Sequence, residues 1–274
     1  MSNLLSPEQL KGLLDDPQLR VIDARHVLGD PEAGRRAWQA AHIPGAVHLD
    51  LARDLSAPPG EGGRHPLPPV TELSETFGRA GIGADSRVVV YDEETGMFAS
   101  RVWWTLRYLG FDAVQVLDGG IRAWQAAGYP LSDEAAEYSP REFPARPRPE
   151  MVAGRAEVQD ASASGRGLLM DSRSAERYRG ENETMDSRAG HIPGAVNYPY
   201  SEVLADGRLK PVAELSRHFA GLNRADSQIV YCGSGVSATL NLLALAEAGL
   251  PLPRLYVGSW SDWSSSPEAP VASG

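Results

Sequence analysis

The chain repeats itself, and that repeat limits the folds open to it more than any other feature. The run Ala41-His42-Ile43-Pro44-Gly45-Ala46-Val47 recurs as Gly190-His191-Ile192-Pro193-Gly194-Ala195-Val196. An apolar stretch ending in Asp-x-Arg precedes each copy, Val21-Ile22-Asp23-Ala24-Arg25 and Leu168-Leu169-Met170-Asp171-Ser172-Arg173. A second apolar stretch follows each, Arg87-Val88-Val89-Val90-Tyr91-Asp92 and Gln228-Ile229-Val230-Tyr231-Cys232. Beyond a helical segment comes a third, carrying Gly and Trp: Val116 to Trp124, and Leu255 to Trp260. The step from Asp92 to Asp118 equals the step from Cys232 to Gly258. Matched order and matched spacing point to a duplication. Short β-rich runs alternating with helical stretches argue for βα units around a mostly parallel sheet. The expected fold is α/β, two tandem domains each with a mostly parallel sheet flanked by helices.

Pro140, Pro144, Pro147 and Pro149 make a stiff, extended connector between the copies. The expected domains are therefore residues 1–143 and 144–274, with the cysteine in the second. A Pro/Gly-rich stretch from Ser56 to Pro69 reads as a long loop inside the first domain. Ser6-Pro7-Glu8-Gln9 reads as a helix start, with Ser6 as N-cap, Pro7 at the first helical position and Gln9 closing a capping box.

What the copies share is mostly architecture. Asp23, Asp171, His42 and His191 occur in both copies, whereas only one copy has a cysteine. The expected role of these four is structural, in buried hydrogen bonds that tie a turn to a strand end. The Pro-Gly pair supplies the turn, with Gly free to take positive φ.

A formal net charge of −10 disfavours a nucleic-acid partner, which needs clustered Lys and Arg. No apolar run approaches the roughly 20 residues that span a bilayer, and no basic start followed by an apolar core marks a secretory signal. The lone cysteine, Cys232, leaves no intramolecular disulfide and no Cys-based zinc site, and the six histidines lack metal-ligand spacing. A single thiol without a signal suits a reducing compartment, so a cytoplasmic protein without membrane contact is expected.

The chemistry centres on Cys232-Gly233-Ser234-Gly235-Val236-Ser237-Ala238. An apolar strand delivers Cys232 to its carboxyl end, the edge at which open α/β sheets place their sites. Two glycines let the backbone curl before a helix begins near Ser237. Such a loop can turn successive N–H groups toward one spot with the positive helix end behind it. That setting lowers a thiol pKa and makes the thiolate a nucleophile. The competing reading is a small buried hydrophobe, the usual fate of a free Cys.

The order of these pieces closely resembles the rhodanese family, over nearly the whole chain and as two rhodanese-like domains. The family's first domain lacks the nucleophile, and here Asp92 stands where the second copy has Cys232. The loop from Cys232 to Ala238 is similar to the active loop of 3-mercaptopyruvate sulfurtransferases, with Ser237 for Thr. Thiosulfate sulfurtransferases typically carry Arg-Lys at the places of Gly233 and Ser234, and added cations there favour a dianion. The resemblance implies that Arg177 binds the donor's carboxylate and keto group, as a planar fork suited to it. Arg188 is the match for a second family Arg, at a shorter spacing. The resemblance further implies that His65 lies near the cysteine with Ser234 as its relay partner. The acid of that relay falls at Ala52, flanked by Asp50 and Asp54.

The implied reaction is a two-step sulfur transfer through a Cys232 persulfide, with Gly233 to Ser237 cradling the sulfur. It takes a small-molecule sulfur donor and a thiol, a thioredoxin-like protein or cyanide as acceptor, and no metal or organic cofactor. A thiosulfate:cyanide sulfurtransferase using the same Cys is the alternative, and a non-enzymatic sulfur carrier or binding module is a further one. A Cys-dependent phosphatase needs an Arg at the far end of the loop, where this chain has Val236-Ser237-Ala238-Thr239.

Overall fold

The computed structural model describes residues 2–222 and 227–274. The chain forms two compact units. One comprises Met1–Ala57, Leu67–Arg148 and Asp206–Leu209, and the other Pro58–Pro66, Pro149–Ala205 and Lys210–Gly274.

In the first unit the strands are β1 (Leu4–Leu5), β2 (Leu19–Asp23), β3 (Ala46–His48), β4 (Arg87–Tyr91) and β5 (Val114–Leu117). All pair in parallel in the order β1-β5-β4-β2-β3, with Asp23 opposite Tyr91. The helices are α1 (Pro7–Lys11), α2 (Ala33–Ala40), α3 (Leu51–Asp54), α4 (Val70–Arg79), α5 (Met97–Tyr108) and α6 (Gly120–Ala126). The first of them starts as the sequence predicts: Ser6 Oγ accepts from the Gln9 N–H while the Gln9 side chain accepts from the Ser6 N–H, with Pro7 at the first position. Val21, Val89 and Tyr91 on one sheet face pack with Leu10, Ile121 and Trp124 from the helices.

The second unit repeats this plan. Its helices are α7 (Arg155–Ser164), α8 (Ala175–Arg179), α9 (Val212–His218), α10 (Ser237–Glu247) and α11 (Ser259–Ser265). Its strands β6 (Leu168–Asp171), β7 (Ala195–Asn197), β8 (Gln228–Tyr231) and β9 (Arg254–Leu255) pair in parallel as β9-β8-β6-β7. That is the order β5-β4-β2-β3 again, with Asp171 opposite Tyr231. A single parallel bridge from Val152 to Leu255 stands where β1 lies along β5. In this unit α10 is buried almost all round, so its apolar sequence reflects burial on every face.

The shared residues are structural, as expected. Asp23 accepts a forked pair of bonds from Arg25, whose Nη2 also donates to the Ala41 carbonyl at 2.7 Å. Arg173 does the same to Asp171 and to the Gly190 carbonyl. His42 Nδ1 lies 2.6 Å from the Trp38 carbonyl and His191 Nδ1 2.8 Å from the Tyr178 carbonyl.

The expected division between residues 143 and 144 shifts in the structure. Phe143 packs against Phe77 and Phe111, and the Arg146 and Arg148 N–H groups donate to the Leu109 and Tyr108 carbonyls. The proline-rich connector is therefore laid onto the first unit as far as Arg148. The loop assigned to the first domain is also divided, since Pro58–Pro66 belongs with the second unit.

Candidate active site

Cys232 follows β8 directly, at the carboxyl end of the sheet, and is buried. Its main chain is fixed on both sides. The Cys232 N–H donates to Ser259 Oγ at 3.1 Å, and its carbonyl accepts from the Trp260 N–H at 2.9 Å. Ser259 sits in the left-handed region with φ +55°, a conformation that disfavours a side chain. Its hydroxyl in turn donates to the Tyr256 carbonyl. Strain at Ser259 thus accompanies its grip on the cysteine, a role that the sequence reading missed.

Beyond Cys232 the chain turns through Gly233, Ser234, Gly235 and Val236, all buried, into α10 at Ser237. Gly235 takes φ +73°, where glycine is favoured. The Gly233 carbonyl accepts from the Ser261 N–H at 2.9 Å, so the loop is tied to α11 at two successive residues.

The segment Pro58–Pro66 supplies the next side chains. Gly63 has φ +91°, and a Cβ there would lie 2.5 Å from Ser261 Oγ and 2.6 Å from the Gly258 carbonyl. Only glycine permits this approach. The Arg64 N–H then donates to Ser261 Oγ at 3.1 Å, and His65 Nδ1 meets Ser234 Oγ at 2.9 Å. The His65–Ser234 pairing expected from the resemblance is formed. Ala52 offers no acid for it. Asp50 caps α3, accepts from the Ala52 and Arg53 N–H groups and meets His26 Nδ1 at 2.9 Å, while Asp54 is bonded to Arg53 and to the Asp50 N–H.

Arg177 on α8 reaches the loop. A Cβ built on Gly233 would lie 3.2 Å from Arg177 Nη1 and 3.0 Å from Arg64 Nη2, so two guanidinium groups lie against Gly233. Both are held by acids. Glu183 accepts from Arg177 Nε and Nη2 at 2.8–3.0 Å, and also from Arg173. Asp186 accepts from Arg177 Nη2 at 2.9 Å and pairs closely with Arg64 Nη1. Burial pushes the Glu183 carboxyl up, but the Met185 N–H and the Arg177 guanidinium outweigh it and leave the pKa below its ordinary value. For Asp186 burial wins over its two arginines, aided by repulsion from Glu183, and the carboxyl is raised. Arg64, Glu183 and Asp186 escaped the sequence reading.

Arg188 lies elsewhere. Its Nη1 donates to the Ser266 and Ala269 carbonyls at 2.8 Å, and its own carbonyl accepts from Trp260 Nε1. The Arg188 Nη1 pins the chain after α11, whereas the guanidinium groups nearest Gly233 are those of Arg64 and Arg177.

In the first unit, Asp92 heads a loop of the same length, and α5 begins five residues on just as α10 does. Its carboxylate accepts from the Glu94, Gly96, Phe98 and Ala99 N–H groups at 2.9–3.3 Å. Burial pushes this carboxyl up, and the four amides oppose it. Asp92 lines a cavity of about 360 Å³ with an acidic edge formed by Glu93 and Glu94.

Comparison with known proteins agrees with the two-domain fold. The model of the rhodanese-like domain matches residues 6–127 and 155–266. The chain is 45% identical to the "Probable 3-mercaptopyruvate sulfurtransferase" of Pseudomonas aeruginosa, over 100% of this chain and 99% of that one. It is 40% identical to the "Putative thiosulfate sulfurtransferase SseB" of Mycobacterium tuberculosis, over 99% and 97%. Among solved structures, the 3-mercaptopyruvate sulfurtransferase SseA from Escherichia coli aligns with a TM-score of 0.82 at 35% identity, covering 95% of this chain and 100% of that one. This chain belongs to the rhodanese family, with two rhodanese-like domains.

Proposed function

We propose that the chain is a sulfurtransferase that takes a sulfane sulfur from 3-mercaptopyruvate onto Cys232 and passes it to a thiol acceptor. The observation that carries this reading is the convergence at one loop of a strand-end cysteine, the Ser234–His65 pair and the Arg177 guanidinium. A nucleophile, a proton path and a carboxylate-binding cation are what the reaction needs.

In the first step the Cys232 thiolate attacks the donor's sulfur. The carbon–sulfur bond breaks with its electron pair going to the carbon, which leaves the enolate of pyruvate and a Cys232 persulfide. Arg177 orients the donor's carboxylate and stabilises the oxygen on which charge develops. The enolate carbon gains a proton, and the hydrogen bond between Ser234 and His65 supports Ser234 as its relay. In the second step an acceptor thiolate takes the outer sulfur and regenerates Cys232. A small thiol, a thioredoxin-like protein or cyanide each supplies such a nucleophile. The grip of main-chain amides on Asp92 in the matching loop supports a like role for the amides from Gly233 to Ser237, holding the persulfide's charge. A cytoplasmic location is part of the proposal, since a lone reactive thiol is preserved where free thiols stay reduced. No helix among the described residues is long and apolar enough to cross a membrane.

The test is intact mass after incubation with 3-mercaptopyruvate, and separately with thiosulfate, under non-reducing conditions. Addition of one sulfur, reversed by cyanide or dithiothreitol and absent in Cys232→Ser, is the expected result. Sulfur gained from thiosulfate in preference would favour the second reading, to which the 40% identity with the M. tuberculosis relative lends weight. Absence of added sulfur with both donors would remove the covalent mechanism and leave a carrier or binding role.

A further inference from the structure

Arg64 and Arg177 come from segments far apart in sequence, yet Arg64 Nη2 and Arg177 Nη1 both lie against Gly233. Behind them, Arg177 Nε and Nη2 bond Glu183 and Asp186, and Arg64 Nη1 pairs with Asp186. Asp186 touches both arginines and is nearly buried, its side chain 4% exposed. Two cations are thus offered to the loop, and two acids behind them cancel their charge. Arg188, the residue expected to provide the second cation, is occupied with the chain after α11.

We propose that Arg64 and Arg177 together form a two-guanidinium seat for the donor's carboxylate, and that Asp186, their shared counter-ion, sets the seat's preference for a monoanionic over a dianionic donor. The proposal rests on the sulfurtransferase reading above and assigns the specificity of that site. A carboxylate has two oxygens and can accept from two adjacent guanidinium groups at once. Close pairing with an acid leaves little net positive charge, so the second charge of a dianion gains little on entering. Loop cations at positions 233 and 234 would raise that charge, but a side chain at 233 would press on the two guanidinium groups already there and shift them. Donor charge is therefore read by residues outside the loop, and Asp186 is the one that both arginines share.

The full chain and its Asp186→Asn and Arg64→Gln variants are compared by kcat/KM for persulfide formation from 3-mercaptopyruvate and from thiosulfate. Asp186→Asn keeps the shape and removes one negative charge. The ratio of thiosulfate to 3-mercaptopyruvate is expected to rise by about tenfold, the scale of one charge a few ångströms away in a partly screened site. Arg64→Gln is expected to raise KM for 3-mercaptopyruvate by about tenfold with a much smaller change in kcat, and Arg64→Lys to recover part of the loss. An unchanged donor ratio in Asp186→Asn, or parallel losses on both donors, would overturn the role of Asp186. An unchanged KM in Arg64→Gln would overturn the seat. Wild-type chain inert toward both donors would instead defeat the sulfurtransferase reading beneath it, so the two failures are told apart.

Discussion

A side chain at Gly233 would press on two guanidinium groups, with its Cβ 3.0 Å from Arg64 Nη2 and 3.2 Å from Arg177 Nη1. The Gly233 backbone is not in the left-handed region, so Gly233→Ala is tolerated by the main chain and strained only by contact. Arg177 cannot retreat freely, being held by Glu183 and Asp186. The added methyl is therefore expected to displace the arginines by a few tenths of an ångström and to raise KM for 3-mercaptopyruvate about five- to tenfold, since misplaced donors cost orientation. The melting temperature should hold within about 3 °C, because nothing in the core changes. Steady-state kinetics with a thermal melt separates the two effects, and an unaltered KM would show that Arg64 and Arg177 do not meet the donor. At this scale Cys232 was legible as a lone cysteine at the end of an apolar strand, whereas Ser234, His65 and Arg177 were reached only through the resemblance to the rhodanese family. Arg64, Glu183 and Asp186 were reached by neither route. A salt bridge from position 64 to position 186 follows no periodicity, and charged residues in loops read as solvated surface until a fold brings them together. For Arg188 the spacing likewise said nothing of the two carbonyls that its Nη1 meets.

Two loops of equal length lead into helices α5 and α10, and the residue at the head of each decides what that element does. In the first unit the Asp92 carboxylate takes four N–H groups, including those of the first turn of α5, and so acts as an internal cap. The sequence showed Asp in place of Cys but not this use, because capping is a matter of where the carboxylate points. Asp92→Ala leaves four N–H groups without their acceptor, those of Gly96 and Ala99 at buried residues. A loss of about 2–4 kcal/mol is expected, with a smaller loss for Asp92→Asn, which keeps one carbonyl acceptor. Persulfide formation at Cys232 should persist in both variants. Urea unfolding checks the magnitude, and an unchanged midpoint would mean that the amides find other partners. The proline-rich connector was likewise half legible. Its extended form follows from the prolines, whereas its attachment to the first unit depends on Phe143 and on carbonyls of Tyr108 and Leu109 that end α5.

Over the molecule as a whole, the duplication made the α/β class, the parallel strands and the repeated order readable before any coordinates. It also repeats a buried tyrosine. The Tyr91 hydroxyl donates to Asp23 at 2.7 Å and accepts from the Ile43 N–H at 3.2 Å, and the Tyr231 hydroxyl accepts from the Ile192 N–H at 3.1 Å beside Asp171. Burial first, and then the neighbouring Asp carboxylate, pushes both phenols well above the ordinary value of 10. In the unfolded chain each releases its proton near pH 10, while the folded chain retains it. Their contribution to stability is thus complete below about pH 10 and is lost as pH rises toward the folded-state values, at about 1.4 kcal/mol per pH unit for each tyrosine. Lys11 and Lys210 are the only lysines and arginine does not titrate in this range, but burial also raises the phenols of Tyr138, Tyr178, Tyr198 and Tyr256, so the effect is read from the change that each single substitution makes in the slope. Unfolding free energies measured between pH 9 and 11.5 should fall with a slope that Tyr91→Phe and Tyr231→Phe each reduce by about 1.4 kcal/mol per unit. Both variants should also be less stable at pH 8 by about 1–3 kcal/mol, because each leaves a buried bonding partner behind. A slope that neither substitution changes would mean that the two hydroxyls reach solvent and ionise in the folded protein, and that the shared Asp–Tyr pairing contributes nothing to holding either sheet to its neighbouring turn.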